Sequence, residues 1–170
     1  MQQRVHPAMV PLDAPIASVE GVFNGVVAEG DFVGTTMFEG RGAGAGPTAS
    51  AVVADIVDIA RGRQTPTYGV PVEALKPMQI RPMNEWVGLY YVRVMVTDKP
   101  GVFADIAGAL RDSQISIESA IQRGRAEGGV VPVVLTTHET KEAAMRQALE
   151  LIAGLDSVAA PPRMIRIETA

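Results

Sequence analysis

The chain has 170 residues, 47% of them apolar and 20% charged, enough for one ordinary domain or two small ones. A net charge of −4, with no long basic run, gives no electrostatic reason to expect a nucleic-acid partner. The absence of cysteine excludes disulfides, thiolate metal sites and cysteine nucleophiles, and favours a cytoplasmic location.

In chain order, strand-like stretches run from about Val19 to Ala28 and from Asp31 to Phe38, with Glu29-Gly30-Asp31 as the turn between them. The run EGRGAGAGPTASAVVADIVDIARG follows at residues 39–62, with Gly40, Gly42, Gly44 and Gly46 at alternate positions. A helix is predicted from Pro47 to about Ala60, with Pro47 in the first turn. Ala49, Val52, Val53, Ile56 and Ala60 mark one apolar face, and Val57 and Ile59 widen it. Two or three strands are too few to cover such a helix, so this half reads as part of a larger layer. From Arg61 to Gly88 periodicity is lost, and Pro66, Pro71, Pro77 and Pro82 mark a connector.

Beyond the connector the pattern sharpens. Tyr90–Val96 is β-rich, and DKPG makes a turn. Phe103, Ile106, Ala107 and Leu110 then mark an amphipathic helix. Ile115, Ile117, Ser119 and Ile121 alternate as one face of a half-buried strand, expected at a sheet edge. RGRAEGG turns the chain into the strand VVPVVLTT, with Pro132 near its start. Met145, Ala148, Leu149 and Ile152 repeat the helical spacing, and Met164–Glu168 closes with a last strand. This order predicts a ferredoxin-like βαββαβ α+β sandwich with both helices on one face of an antiparallel sheet.

Two loops invite a functional reading. The glycine run lacks the two-residue gap of G-x-G-x-x-G, and no strand with a terminal acid follows it. It reads either as a closely packed turn into a buried helix or as backbone free to approach part of a ligand. The Asp98-Lys99-Pro100-Gly101-Val102 loop is either a plain turn or an amino-acid site. In the second reading the Gly101 and Val102 amides, at a helix start, hold a carboxylate, and Asp98 takes the ammonium group. Ser116, expected opposite the loop on the next strand, would bond a hydroxyl side chain. His6 and His138 lack ligand-like spacing, so no metal site is expected. No apolar run approaches the roughly 18 residues that span a bilayer, so no membrane partner is expected either.

GRGAGAGPTASAVVADIVDIARG resembles the closing segment of the catalytic region of homoserine dehydrogenases. VHPAMVPLDAPIASVEGVFNGVVAEGDFVG resembles the strands that lead to it, and PTASAVVAD is the specific motif. YYVRVMVTDKPGVFADIAGALRDSQISIES, with TTHET and the final strand, resembles the ACT regulatory domain that many of these enzymes carry. The resemblance implies three segments. Residues 1–62 would be a strand-strand-helix remnant of an α/β catalytic domain, 63–88 a linker, and 89–170 the ACT domain.

It also implies an NAD(P)-dependent oxidoreductase as the parent enzyme, in which Gly42 and Gly44 lie beside the nicotinamide end of the cofactor. ACT domains commonly bind amino acids between paired subunits, so at least a homodimer is expected. Threonine is the effector implied by the pathway. No dinucleotide fingerprint precedes Arg4 and the family's catalytic lysines are missing. The chain is therefore expected to be a C-terminal fragment without catalytic residues, tight NAD(P) binding or activity of its own. The competing reading is a free-standing ACT-type amino-acid sensor or a dimerisation module.

Overall fold

The structure, a computed structural model, describes residues 1–63, 68–122, 124 and 128–169. In chain order the elements are β1 (Ala8–Met9), β2 (Phe23–Gly30), β3 (Gly34–Arg41), α1 (Ala45–Ala60), β4 (Val87–Thr97), α2 (Val102–Asp112), β5 (Ile117–Gln122), β6 (Val130–Thr137), β7 (Thr140–Lys141), α3 (Glu142–Ala153) and β8 (Val158–Ile167). They form two compact units: residues 10–79, and residues 1–9 together with 80–169. The α+β class is as expected, but the division differs at both ends of the first segment. Residues 1–9 pair with β8 and so join the second unit, and that unit takes up the chain again at Ile80, within the expected linker. Among the described residues, no helix is long and apolar enough to cross a membrane.

In the unit formed by residues 10–79, β2 and β3 pair antiparallel without slippage from Phe23↔Arg41 to Gly30↔Gly34. The turn occupies residues 31–33, just beyond the expected position, because Gly34 supplies the left-handed φ of +71° that closes a three-residue loop. Helix α1 starts at Ala45, two residues before Pro47, which still lies in the first turn where its missing N–H costs nothing. Its apolar face is bare: Val52, Val53, Ile56 and Ile59 are each more than half exposed. Ala14 is the only buried hydrophobic residue among those described in this unit. Part of the expected connector, residues 64–67 with Pro66, lies outside the described residues.

The other unit is the βαββαβ sandwich. Its sheet runs β1-β8-β4-β6-β5, with β7 attached to the start of β4. All pairings are antiparallel except β1 with β8, which is parallel. Alternate residues Tyr90, Val92, Val94 and Val96 of β4 and Val131, Val133 and Leu135 of β6 face the helices. Against them pack Val102, Ile106, Ala109 and Leu110 of α2 and Met145, Ala148 and Ile152 of α3. Each fully buried aliphatic side chain of this kind is worth about 1.5–3 kcal/mol. Pro132 sits in β6 where the described pairing with β5 has already ended, at Gln122↔Val133. The RGRAEGG turn falls largely outside the described residues, which omit 123 and 125–127.

Two expected faces are corrected. Phe103 is 41% exposed, and the buried stripe of α2 is rotated toward Val102 and Ala109. In β5 the register passes from Ile117↔Thr137 directly to Ser119↔Thr136, leaving Glu118 as an extra residue. Such a bulge transposes the faces beyond it. Ala120 stands opposite the inward Leu135, whereas Ser119 and Ile121 stand opposite Thr136 and Val134 on the outer face. Ser119 and Thr136 hydroxyls meet there at 2.7 Å, and Ile121 is 47% exposed instead of half-buried.

Candidate functional site: the start of helix α2

Strand β4 ends at Thr97, whose N–H donates to the Ser157 carbonyl at 2.8 Å. Asp98 then donates its N–H to the Gly129 carbonyl at 2.8 Å and accepts at its own carbonyl from the Gly128 N–H at 3.3 Å. Its carboxylate Oδ1 accepts from Gln122 Nε2 at 3.3 Å. The loop is thus held from both sides, which places Gly101 immediately before α2. Gly101 has φ +92° and ψ −22°, a left-handed geometry that costs any residue with a Cβ. A Cβ built there would meet nothing within 4 Å, so the glycine serves the backbone turn and leaves open space above it. The Gly101 carbonyl accepts the first bond of the helix, from Asp105 N–H at 3.0 Å. The Gly101 and Val102 amides have no acceptor among the described residues. Two such donors at a helix start form a ready carboxylate site, with the dipole adding favourable charge. Val102 itself is buried, which anchors the helix below the loop.

Asp98, Gly101 and Val102 therefore come together as the sequence suggested, but Ser116 does not join them within one chain. Its carbonyl accepts from the His138 N–H at 3.0 Å, just before β5, at the end of the sheet where β4 begins. The ladder Tyr91↔Thr136 to Thr97↔Val130 separates it from Asp98 by roughly 25 Å at the rise of a strand. The reason is topological: β5 runs from that far end back toward the loop, so its last residue, Gln122, reaches Asp98 instead.

In the other unit, Gly42 follows β3 and donates its N–H to the Val22 carbonyl at 3.1 Å. A Cβ on Gly42 would lie 1.4 Å from Nδ2 of the exposed Asn24, so that side chain would have to move aside. Gly44 precedes α1 with φ +120° and ψ 148°, a conformation that excludes other residues. The backbone of 42–44 is exposed.

Sequence reasoning missed a buried charge cluster at the far end of the β4 sheet. Glu142, the first residue of α3, is fully buried and accepts from Tyr90 Oη at 3.0 Å, Arg166 Nε at 2.9 Å and Arg146 Nε at 3.0 Å. Arg166 also reaches its second oxygen through Nη2, and Arg146 Nη2 lies 2.9 Å away. Burial would push this carboxyl up, but the hydrogen bonds and charges of Arg166, Tyr90 and Arg146 outweigh it and hold the group below its ordinary range. The Tyr90 phenol is pushed well above its ordinary value by burial, then by its bond to Glu142 and that carboxylate's charge. Trp86 meets Tyr90 edge-on at 5.4 Å, and Arg4 stacks on the Trp86 ring at 4.5 Å while pairing with Glu168 at 3.3 Å. With the charges paired, this cluster is architecture. Its one sequence signal was the Glu142–Arg146 pair at i,i+4 in the first turn of an amphipathic helix.

The βαββαβ unit with both helices on one face of its sheet defines the class: residues 90–154 match the ACT domain family, and this unit is an ACT domain. Residues 1–57 match the homoserine dehydrogenase family. The homoserine dehydrogenase of Neisseria gonorrhoeae is 42% identical over 99% of this chain, and that of Pseudomonas aeruginosa 40% over 97%, each alignment covering 40% of the relative. The crystal structure of a homoserine dehydrogenase from Thiobacillus denitrificans superposes with a TM-score of 0.86 at 40% identity, over 99% of this chain and 39% of that one. Over the length it spans, the chain belongs to the homoserine dehydrogenase family, and it spans about two fifths of those relatives.

Proposed function

We propose that the chain works as part of a longer NAD(P)-dependent homoserine dehydrogenase, the oxidoreductase that interconverts homoserine and aspartate semialdehyde. Its ACT unit is read as the site of an amino-acid effector. The observation that carries the regulatory half is the pair of amides at Gly101 and Val102, which have no acceptor among the described residues, beside Asp98 and under open space. The effector carboxylate sits on those amides and its ammonium group on Asp98. Ser116 reaches the ligand only from a second copy. If two β5 edges pair antiparallel about a two-fold axis, the start of one strand meets the end of the other, where Gln122 holds Asp98. The effector then lies between paired subunits, and threonine, with a hydroxyl for Ser116, is the best match to this donor set.

The exposed backbone at Gly42 and Gly44 fits the edge of a nicotinamide held mainly by other parts of the enzyme, and the bare apolar face of α1 supports burial against them. Bound there, NAD(P) would supply the hydride acceptor.

Titration calorimetry of the chain with threonine, serine, methionine and homoserine at millimolar concentration tests the effector site. Binding of threonine at a Kd of ~0.1–1 mM, lost in Asp98→Ala, is the expected result. No heat with any of the four, from protein shown to be folded, would leave the ACT unit as an assembly module.

A further inference from the structure

The β4 sheet has two ends at which another strand could add, and they are treated differently. At one end β5 is exposed, and beyond its bulge at Glu118 residues Ser119–Gln122 run in regular register. At the other end β8 would be the open strand. Its first half carries Pro161 and Pro162, which lack N–H groups, at a register break opposite Val94. Its second half is covered by residues 1–9: β1 pairs Ala8 with Arg166 and Met9 with Ile167, and Glu168 donates its N–H to the Met9 carbonyl at 2.9 Å. Upstream, Arg4 is clamped between Glu168 and the Trp86 ring, Gln2 Nε2 donates to the Pro82 carbonyl at 3.4 Å, and the Arg81 N–H donates to the Met1 carbonyl at 2.9 Å. The segment is fastened along its length although a whole unit, residues 10–79, separates it in sequence from the strands it covers.

We propose that residues 1–9 are an edge cap that closes the β8 end of the sheet, so that a second copy of this chain can add only at β5. A sheet open at both ends associates head to tail without closing, whereas one open at a single end closes as a two-fold dimer. Prolines and the strap block β8 by complementary means: the prolines remove donors in its first half, and the strap pairs with Arg166, Ile167 and Glu168 at its end. This inference rests on the β5 pairing proposed above, and the two can fail separately.

The test is the assembly state of the full chain by light scattering across ~5–200 µM, with circular dichroism to show folding. Ala120→Lys puts like charges face to face near the middle of a β5–β5 pair and should give monomer. If that variant remains dimeric, the β5 pairing is wrong, whatever the strap does. Arg4→Ala with Met9→Pro frees the strap by removing its clamp and a ladder donor. It should drive the average mass to about twice the dimer or more at the highest concentration, while Arg4→Lys stays dimeric. A folded double variant that remains dimeric overturns the cap. If the double variant does not fold, Arg4→Ala alone is read the same way, and a mass indistinguishable from that of the unaltered chain overturns the cap equally.

Discussion

Removal of the buried Glu142 carboxylate is the perturbation with the largest expected cost. Glu142→Ala leaves Arg166, whose side chain is only 13% exposed, without the two bonds that compensate its burial, and it strips Tyr90 of its acceptor. Breaking a buried pair in this way costs about 3–5 kcal/mol, because a charge remains in the interior without its partner. In a domain of roughly 100 residues, each kcal/mol is worth about 4–8 °C, so the Tm of the ACT unit should fall by on the order of 15–30 °C. Glu142→Gln keeps the shape and one acceptor and should lose about half as much, roughly 1.5–3 kcal/mol. The pH dependence separates charge from packing. A folded-state pKa held below its ordinary value means that the contribution is fully present above the unfolded-state pKa and is lost as pH falls through the folded one. The stability gap between the unaltered chain and Glu142→Gln should therefore be constant near neutrality and narrow only in acid, below the ordinary carboxyl value of 4.5. Thermal melts followed by the fluorescence of Trp86, the chain's single tryptophan, read the cluster directly. A gap that does not change with pH, or a loss under about 1 kcal/mol for Glu142→Ala, would refute the reasoning.

Three further outcomes are expected. Gly88→Ala would place a Cβ 2.2 Å from the Trp86 ring, which is held between Arg4 and Tyr90, and should cost about 1–3 kcal/mol in a urea melt with an altered tryptophan spectrum. Gly101→Val should abolish effector heat in calorimetry and lower stability by about 1–3 kcal/mol; because the space there is open, the cost arises from the positive φ and the added bulk falls where the ligand carboxylate must approach. The chain alone should give no homoserine-dependent reduction of NADP, since positioning of cofactor and substrate contributes on the order of 7–11 kcal/mol to such a reaction; turnover that survives repurification would contradict this.

Local chemistry in the sequence determined the succession of elements. The β-rich runs YYVRVMV in β4 and VVPVVLTT in β6, the 3.6-residue spacing in α2 and α3, and the glycine before each of α1 and α2 are nearest-neighbour signals, and each produced the element it predicts. The helix start at Gly101–Val102 was legible for the same reason: a helix start and a left-handed glycine are properties of a few consecutive residues.

Contacts between residues far apart in sequence were decided by the tertiary structure. No local pattern shows that Glu118 bulges and turns Ile121 outward, because register depends on which residues of β6 lie opposite. Ser116 reads as a neighbour of the DKPG loop until the direction of β5 carries it to the far end of the sheet. Glu142 reads as an ordinary charge in a first helical turn. It becomes a buried hub because Tyr90, 52 positions upstream, and Arg166, 24 positions downstream, converge on it. The same holds for residues 1–9, which look like the lead-in to the hairpin. A strand edge elsewhere in the chain has N–H and C=O groups to satisfy, and only the fold brings the two within hydrogen-bonding distance.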